Sequence, residues 1–496
     1  MKKTIALLLA AALLCPLFAA CGEKQPDSTT TASSETTVET TPPEDAPDYA
    51  ALEALGDISG EFRILFGHGF KQNDFKAEDE NGTALEAAIY RRNAYMKDTY
   101  NIDIVTDEMD SRTQAYDKLF AEYNAGDSTY DAAMMRTAEV AKLASSGCLR
   151  DLNDMPHMDL SRDYWDQRAN ADLSIGGRMY YTTGDIGVQD NMCTHCMLFN
   201  KEMVRQYGFD DPYELVKDGK WTLEALGTMV RAVGEDANQD GIYDENDVYG
   251  LMTWLDNVQA MLAGAGERVC RVNDSGELEL TLYNERVVNL YDDFTALIYD
   301  SSHVFNYQYD NKTGDRSSSD VWDKNRVNMF NNNQAMFYFT MLTTVPRHRD
   351  STTDFGILPY PKYDENQENY GHGIGVNQCT FICVPEMVKN DARTGFVLEE
   401  LSYQGKKLLT PAYYEQTLIG QYTRDEESAE MLDLIFATRV YDVGLYYNIG
   451  KYKDALANMF VNRRTLTTVY ETYRESAEQT VAEINAAFSS QDVAEK

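Results

Sequence analysis

Positive charge is in short supply in this chain. Its 496 residues hold 44 Lys and Arg against 81 Asp and Glu, a formal net charge of -37. A surface this acidic repels phosphate backbones and anionic lipid, which excludes nucleic acid as a partner. Long apolar runs are missing beyond the first 20 residues. No later stretch approaches the ~20 residues that a spanning helix needs, and mean hydropathy is -0.48, so a polytopic membrane protein is excluded. Trp numbers only 4, although Tyr reaches 33. The Gly-x-Ser-x-Gly elbow and the His-Glu-x-x-His helix are both lacking, and there are no internal repeats. With so many acidic residues, a carboxylate pair of the glycosidase kind can be found anywhere and identifies nothing. What is left is 43% apolar, enough for a sizeable core in two or three domains of ~150 residues. The acidity fits a solvated, exported protein that handles neutral or cationic ligands.

The amino terminus gives the address. Lys2 and Lys3 precede an apolar run from Ile5 to Ala20, broken only by Cys15 and Pro16. A positive start and a short apolar stretch predict a signal peptide over residues 1–20. The run ends Leu17-Phe18-Ala19-Ala20-Cys21-Gly22, which resembles a bacterial lipobox, with Phe18 where Leu is usual. That resemblance implies cleavage before Cys21 and acylation of Cys21, palmitate included. Two or more chains anchor stably where one does not. The alternative is an ordinary secretory peptide cut at the same bond. Residues 21–54 continue as a Thr/Ser/Glu/Pro tether that cannot form a core. The expected location is extracytoplasmic, lipid-anchored to the outer face of a bacterial cell membrane.

Eight cysteines fall to six once Cys15 is cleaved off and Cys21 is acylated: Cys148, Cys193, Cys196, Cys270, Cys379 and Cys383. An exported compartment permits disulfides among them. Cys193-Thr194-His195-Cys196 has CxxC spacing, but its partner pair lacks zinc-finger spacing. It also sits inside an apolar stretch rather than at a helix start, where a redox motif belongs. Buried thiols are the preferred reading.

The body alternates strand and helix. Phe62, Ile64 and Phe66 alternate in a strand that stops at Gly67. Leu85, Ala88, Ile89, Arg92 and Met96 then fall at helical spacing after Asn81-Gly82-Thr83. Ile102–Val105 is a second strand, residues 112–125 a second helix, Tyr130–Met135 a third strand, and Val140, Leu143 and Ala144 mark a third helix. Such repetition predicts an α/β fold with a parallel, doubly wound sheet. Ligands on such sheets lie beyond the carboxyl ends of the strands, which nominates Gly67–Phe70, Asp107–Asp110 and Arg136-Thr137. A second α/β lobe follows, with Thr222 as a helix N-cap and Phe355–Leu358 as a strand.

The sharpest local motif runs from Asp236 to Asp247. Oxygen-bearing side chains at its first, third, fifth, ninth and twelfth positions match an EF-hand-type calcium loop, and Gly241 supplies the turn at the sixth. Asp236, Asn238, Asp240, Asp244 and Asp247 would give side chains, and Ile242 its carbonyl, to a structural calcium ion. The alternative is an acidic turn.

Set in order, further segments carry a resemblance. They are Met96–Val105, Tyr130–Leu149, Gly177-Arg178-Met179-Tyr180 with Phe199-Asn200-Lys201, Trp221-Thr222, the Asp-x-Asn-x-Asp-Gly loop, Gln334-Ala335-Met336, and Asp354–Lys362. Together they resemble a family 1 extracellular solute-binding protein, the capture component of an ABC sugar importer. The resemblance implies a two-lobed periplasmic-binding-protein-like fold with a hinge and an interlobe ligand cleft. Lobe one would take residues 55–160 and 355–410, lobe two residues 161–354 and 411–496. It implies a sugar or oligosaccharide ligand, ABC permease subunits as partners, a monomer, and no catalysis. Carried over as cleft candidates are His68, Arg136, Asp185, Trp254, Tyr338 and Tyr446, with core packing as the rival reading of Trp254 and Tyr338. The runner-up functions are a secreted glycoside hydrolase, a peptide receptor, and a glycan-capture protein of the same fold without a transporter.

Overall fold

The computed structural model describes residues 46–67, 73–308, 321–414 and 426–490. Residues 45–496 cluster as one compact unit. Its first sheet uses β1 (Gly60–Gly67), β2 (Ile102–Met109) and β3 (Ala132–Arg136). Its second uses β4 (His195–Asn200), β5 (Gly234–Glu235), β6 (Val248–Thr253), β7 (Val304–Asn306), β8 (Ala335–Met341) and β9 (Phe355–Leu358). The chain then returns to the first sheet as β10 (Thr380–Cys383).

In the first sheet the order is β10-β3-β1-β2. β1 runs parallel to both β2 and β3, with Gly60 opposite Ile102 and Ile64 opposite Ala132. β10 closes the far edge antiparallel, Thr380 opposite Arg136. The crossovers are α1 (Ala84–Tyr100) and α2 (Arg112–Ala125), and α3 (Thr137–Ser145) follows β3. Local sequence sets their ends. Thr83 accepts from the Glu86 amide in a reciprocal capping box, and Asn101 ends α1 in the left-handed region at φ 53°. Ser111 starts α2, and Gly126 ends it at φ 70°. The predicted stripe of α1 is the buried one: Leu85, Ala88, Ile89, Arg92 and Met96. Arg92 is interior because its guanidinium donates to the carbonyls of Ile186 and Asp74.

The second sheet has the order β9-β4-β8-β6-β5, with β7 also on β6. β4 lies antiparallel to β8, Phe199 opposite Phe337, while β8 and β6 run parallel. The helix Leu223–Val230 begins as expected, the Thr222 hydroxyl accepting from Ala225. Trp221 before it is fully buried and donates to the Pro359 carbonyl at 3.0 Å.

Chain assignment to the two sheets differs from the expected boundaries at two places. Phe355–Leu358, expected to open the return to lobe one, pairs instead with β4 of the second sheet. It is the edge strand of that sheet, yet all four of its residues are buried. Tyr164 and Trp165, expected in lobe two, pack with Phe62, Ile64 and Phe66 of the first sheet. Both donate to Glu399 on α4 (Asp391–Pro411), the Trp165 bond at 2.9 Å. The strand-to-strand exchanges therefore lie around residues 187–194 and 359–379. There Thr194 pairs with Ile374, and the Gly375 amide donates to the Cys193 carbonyl at 2.8 Å. One apolar cluster runs from Leu65, Ala133 and Met135 through Cys193 and Phe381 to Met197, Phe337 and Phe339.

The six internal cysteines are buried and free. Among the described residues no helix is long and apolar enough to cross a membrane. The signal peptide, Cys21 and most of the tether lie outside the described residues.

Candidate functional site

Parallel strands end together, so β1, β2 and β3 deliver Gly67, Met109 and Arg136 to one edge of the first sheet. Two helices start at that edge. The Ser111 hydroxyl caps α2, accepting from the Gln114 amide at 3.2 Å. The residue capping α3 is Arg136, whose side chain makes no cap hydrogen bond. Among the described residues, no side chain accepts from the first amides of α3.

From the second half of the chain come Asp256, just after β6, and the segment Asn377-Gln378. Asn377 donates to the Asp256 carboxylate at 3.3 Å and accepts from the Lys453 ammonium at 3.2 Å. Burial raises the Asp256 carboxyl, while bonds from Asn377 and the Lys453 charge oppose the rise. Thr137 reaches across to donate to the Val376 carbonyl.

A groove of about 530 Å³ opens between α2 and α3 on one side and the turn Val443–Tyr446 with α5 (Leu466–Ser490) on the other. Arg112, Tyr116, Glu139, Tyr446, Lys453 and Glu483 are among its lining. Among the described residues, three buried polar atoms of its lining have no hydrogen-bond partner: Glu139 Oε2, Tyr446 Oη and Asn448 Oδ1. A buried donor or acceptor without a partner costs about 1–3 kcal/mol, and a water or a ligand's polar group can meet it; such atoms also occur away from the groove, at Asp74, Glu122 and Tyr403 among others.

The structure brings one of the expected residues, Tyr446, to the lining of this groove. Arg136 is half-buried at the end of β3, outside that lining; burial followed by repulsion from Arg112 lowers its pKa, and the Glu139 charge opposes the fall. Tyr446 is 1% exposed and lines the groove. Others lie elsewhere. Asp185 accepts from the Thr410 hydroxyl on α4, and burial pushes its carboxyl up to about 7. Trp254 is a core ring, 4% exposed and stacked on Tyr307 at 6.2 Å. Tyr338 is wholly buried in the second sheet between Tyr307, Phe330 and His348. Periodicity explains both: each aromatic sits in or beside a strand buried on both faces. His68 lies outside the described residues.

Sequence reasoning missed Arg112, Glu139 and Lys453. Arg112 and Glu139 occupy the first turns of helices that follow nominated loops, which was a usable signal. Lys453 had none, because its place depends on a distant part of the chain folding back.

The Asp236–Asp247 loop joins β5 to β6. Asp236 accepts from the amides of Asp240 and Gly241, Asn238 from Asp240, and Asp240 from Ile242. Gly241 has φ +80°, as the turn requires. That half fits a calcium loop. Asp247 differs: it is fully buried, and its two oxygens accept from Ala237 at 3.0 Å and Asp244 at 2.7 Å. It braces the loop from inside. Among the described residues, no three His, Cys, Asp or Glu groups stand together in a metal-holding arrangement.

A family profile described as bacterial extracellular solute-binding protein matches residues 91–398. The chain belongs to that family. Its members are binding proteins and work outside the cytoplasm. No curated protein matches in sequence, but solved structures share the fold. An ABC substrate-binding protein of Listeria monocytogenes, solved with cycloalternan, has 13% identity and TM-score 0.54, covering 86% of this chain and 99% of its own. The GacH receptor of Streptomyces glaucescens, studied with acarbose, has 18% identity and TM-score 0.51, covering 87% and 97%. The galacto-N-biose/lacto-N-biose I-binding protein of Bifidobacterium longum has 11% identity and TM-score 0.55, covering 86% and 98%. At these identities the likeness is one of fold: two α/β lobes of the periplasmic-binding-protein kind.

Proposed function

We propose that this solute-binding protein captures a sugar or oligosaccharide in the groove beside α3 and delivers it to an ABC permease. The observation that carries the reading is the set of buried, partnerless polar atoms around a groove edged by Tyr116, Tyr446 and Tyr447. A sugar ring offers an apolar C–H face for aromatic rings and hydroxyls for fixed donors and acceptors. Tyr446 would donate, and Glu139 would accept. Fold neighbours solved with cycloalternan, acarbose or lacto-N-biose support the ligand class and the transporter. Closure would pivot on the paired segments at Thr194 and Ile374, the two sheets moving as bodies.

A melting-temperature screen of the full chain in detergent against oligosaccharides and short peptides tests this. A sugar at 100 times its dissociation constant should add about 2.7 kcal/mol and be recovered unmodified. A peptide hit alone, or cleavage of the sugar, would contradict the reading.

Three finer points belong to the same proposal. Cys21 carries the acyl anchor, the protein acts as a monomer, and the Asp236–Asp247 loop takes a structural calcium ion. Asp236, Asn238, Asp240, Asp244 and the Ile242 carbonyl would hold the ion, with Asp247 bracing them. Calcium supplies charge that offsets the crowding of these carboxylates. Calcium should raise the melting temperature, and Asp240→Ala should abolish that rise; a rise that persists in the variant would sink the assignment.

A further inference from the structure

The two segments that pass between the sheets each carry a cysteine next to the strand they lead into. Cys193 ends the short helix Gln189–Cys193, just before β4 begins at His195, and Cys379 stands immediately before β10 begins at Thr380. The backbone brings them side by side. The Gly375 amide donates to the Cys193 carbonyl at 2.8 Å, and the Cys379 amide donates to the Gly375 carbonyl at 3.1 Å. Thr194 pairs with Ile374 beside them. A β-carbon at Gly375 would stand 2.8 Å from Met341 Sδ and 3.3 Å from the Cys193 carbonyl oxygen, so this close approach needs glycine. Across it the two thiols meet in a hydrogen bond.

Among the described residues the other thiols are placed differently. Cys196, the second half of the CxxC, packs with Leu198 and Tyr338, whereas Cys193 shares a cluster with Cys379 and Phe381. The spacing of the motif therefore does not make it a pair. Cys383 Sγ reaches the Ala133 carbonyl at 3.5 Å and Cys148 Sγ the Ser146 carbonyl at 3.7 Å. Cys379 Sγ has such a contact too, with the Thr380 carbonyl at 3.5 Å, and adds the Cys193 thiol to it.

Both thiols are wholly buried, and burial holds that of Cys379 well above its ordinary range. A buried, protonated thiol is a poor nucleophile and a poor metal ligand. The family works outside the cytoplasm, where disulfides form and persist.

We infer that Cys193 and Cys379, whose thiols are separate in this structure, become joined as a disulfide when the protein folds outside the cytoplasm, tying the two crossover segments together. The oxidant is a disulfide of that space. During folding, before burial raises the thiols, one cysteine thiolate attacks it, forming a mixed disulfide and expelling one thiolate. The second cysteine thiolate then attacks the protein sulfur and expels the other. One S–S bond forms in the protein, one is broken in the oxidant, and two electrons with two protons leave as two thiols. The bond joins the points from which β4 and β10 start, so the crossovers bend as one unit. Nothing in this depends on what the groove binds.

The test is alkylation of the full chain, recovered from cells that export it, denatured, and treated with iodoacetamide before and after reduction. Four of the six internal cysteines should be alkylated before reduction and all six after it. The unreduced digest should hold one peptide pair joined through Cys193 and Cys379. Six alkylated cysteines before reduction, or a bond between any other pair such as Cys193 and Cys196, would overturn the inference. Reductant should also lower the melting temperature by about 5 °C, and the double variant Cys193→Ala, Cys379→Ala should not respond to it. An equal fall in both proteins would show that no bond braces the crossovers; if the variant fails to fold, the alkylation count decides alone.

Discussion

The groove beside α3 and the Asp236–Asp247 loop are both rich in polar side chains, and they use them in opposite ways. In the loop, Asp236, Asn238, Asp240 and Asp247 each accept amides of the loop's own backbone. In the groove, Glu139, Tyr446 and Asn448 keep buried atoms that nothing among the described residues bonds. The loop's polar groups build structure, so their worth appears as stability. The groove's, on the proposed reading, cost stability until a ligand arrives, so their worth would appear as affinity. That division follows from the cost of an unmade hydrogen bond, whichever side bears it.

The largest expected effect lies on the loop side. Asp247→Ala removes the acceptor of two amides, one of them on buried Asp244. Stability should fall by about 2–4 kcal/mol in urea unfolding, with ligand affinity unchanged. A loss of affinity without a loss of stability would erase the distinction between the two regions.

Next comes a pH effect outside both regions. Burial lifts the Asp185 carboxyl to about 7, against an ordinary value of 3.8. The folded state therefore binds this proton more tightly than the unfolded state does. The resulting stability is fully present below the ordinary value and is lost as pH rises through about 7. Asp185→Asn should flatten the decline in melting temperature between pH 4 and 7; an unchanged slope would show that the carboxyl ionises freely in place.

The two regions also differ in how far they could be read beforehand. The loop is local: twelve consecutive residues with glycine at the turn carry its shape, and only the buried role of Asp247 was hidden. The first sheet was legible for a similar reason, since capping pairs such as Thr83 with Glu86 and ends such as Gly126 act within a few residues. The groove is non-local. Tyr446 could be nominated through the family resemblance, but Lys453 meets Asn377, 76 positions earlier, only because the chain folds back. Trp254 and Tyr338 show the opposite limit. An aromatic in a fully buried strand gives the same pattern whether it faces a ligand or a core, and here both face the core.

The most direct measurement is on Tyr446→Phe, comparing affinity for the bound oligosaccharide with the melting temperature of the free protein. The hydroxyl has no hydrogen-bond partner among the described residues, so removing it should leave the free protein as stable or more so. It should also weaken binding by about three- to tenfold, the worth of one hydrogen bond. A lower melting temperature with unchanged affinity would mean that the hydroxyl serves the fold, and the account of the groove would fail.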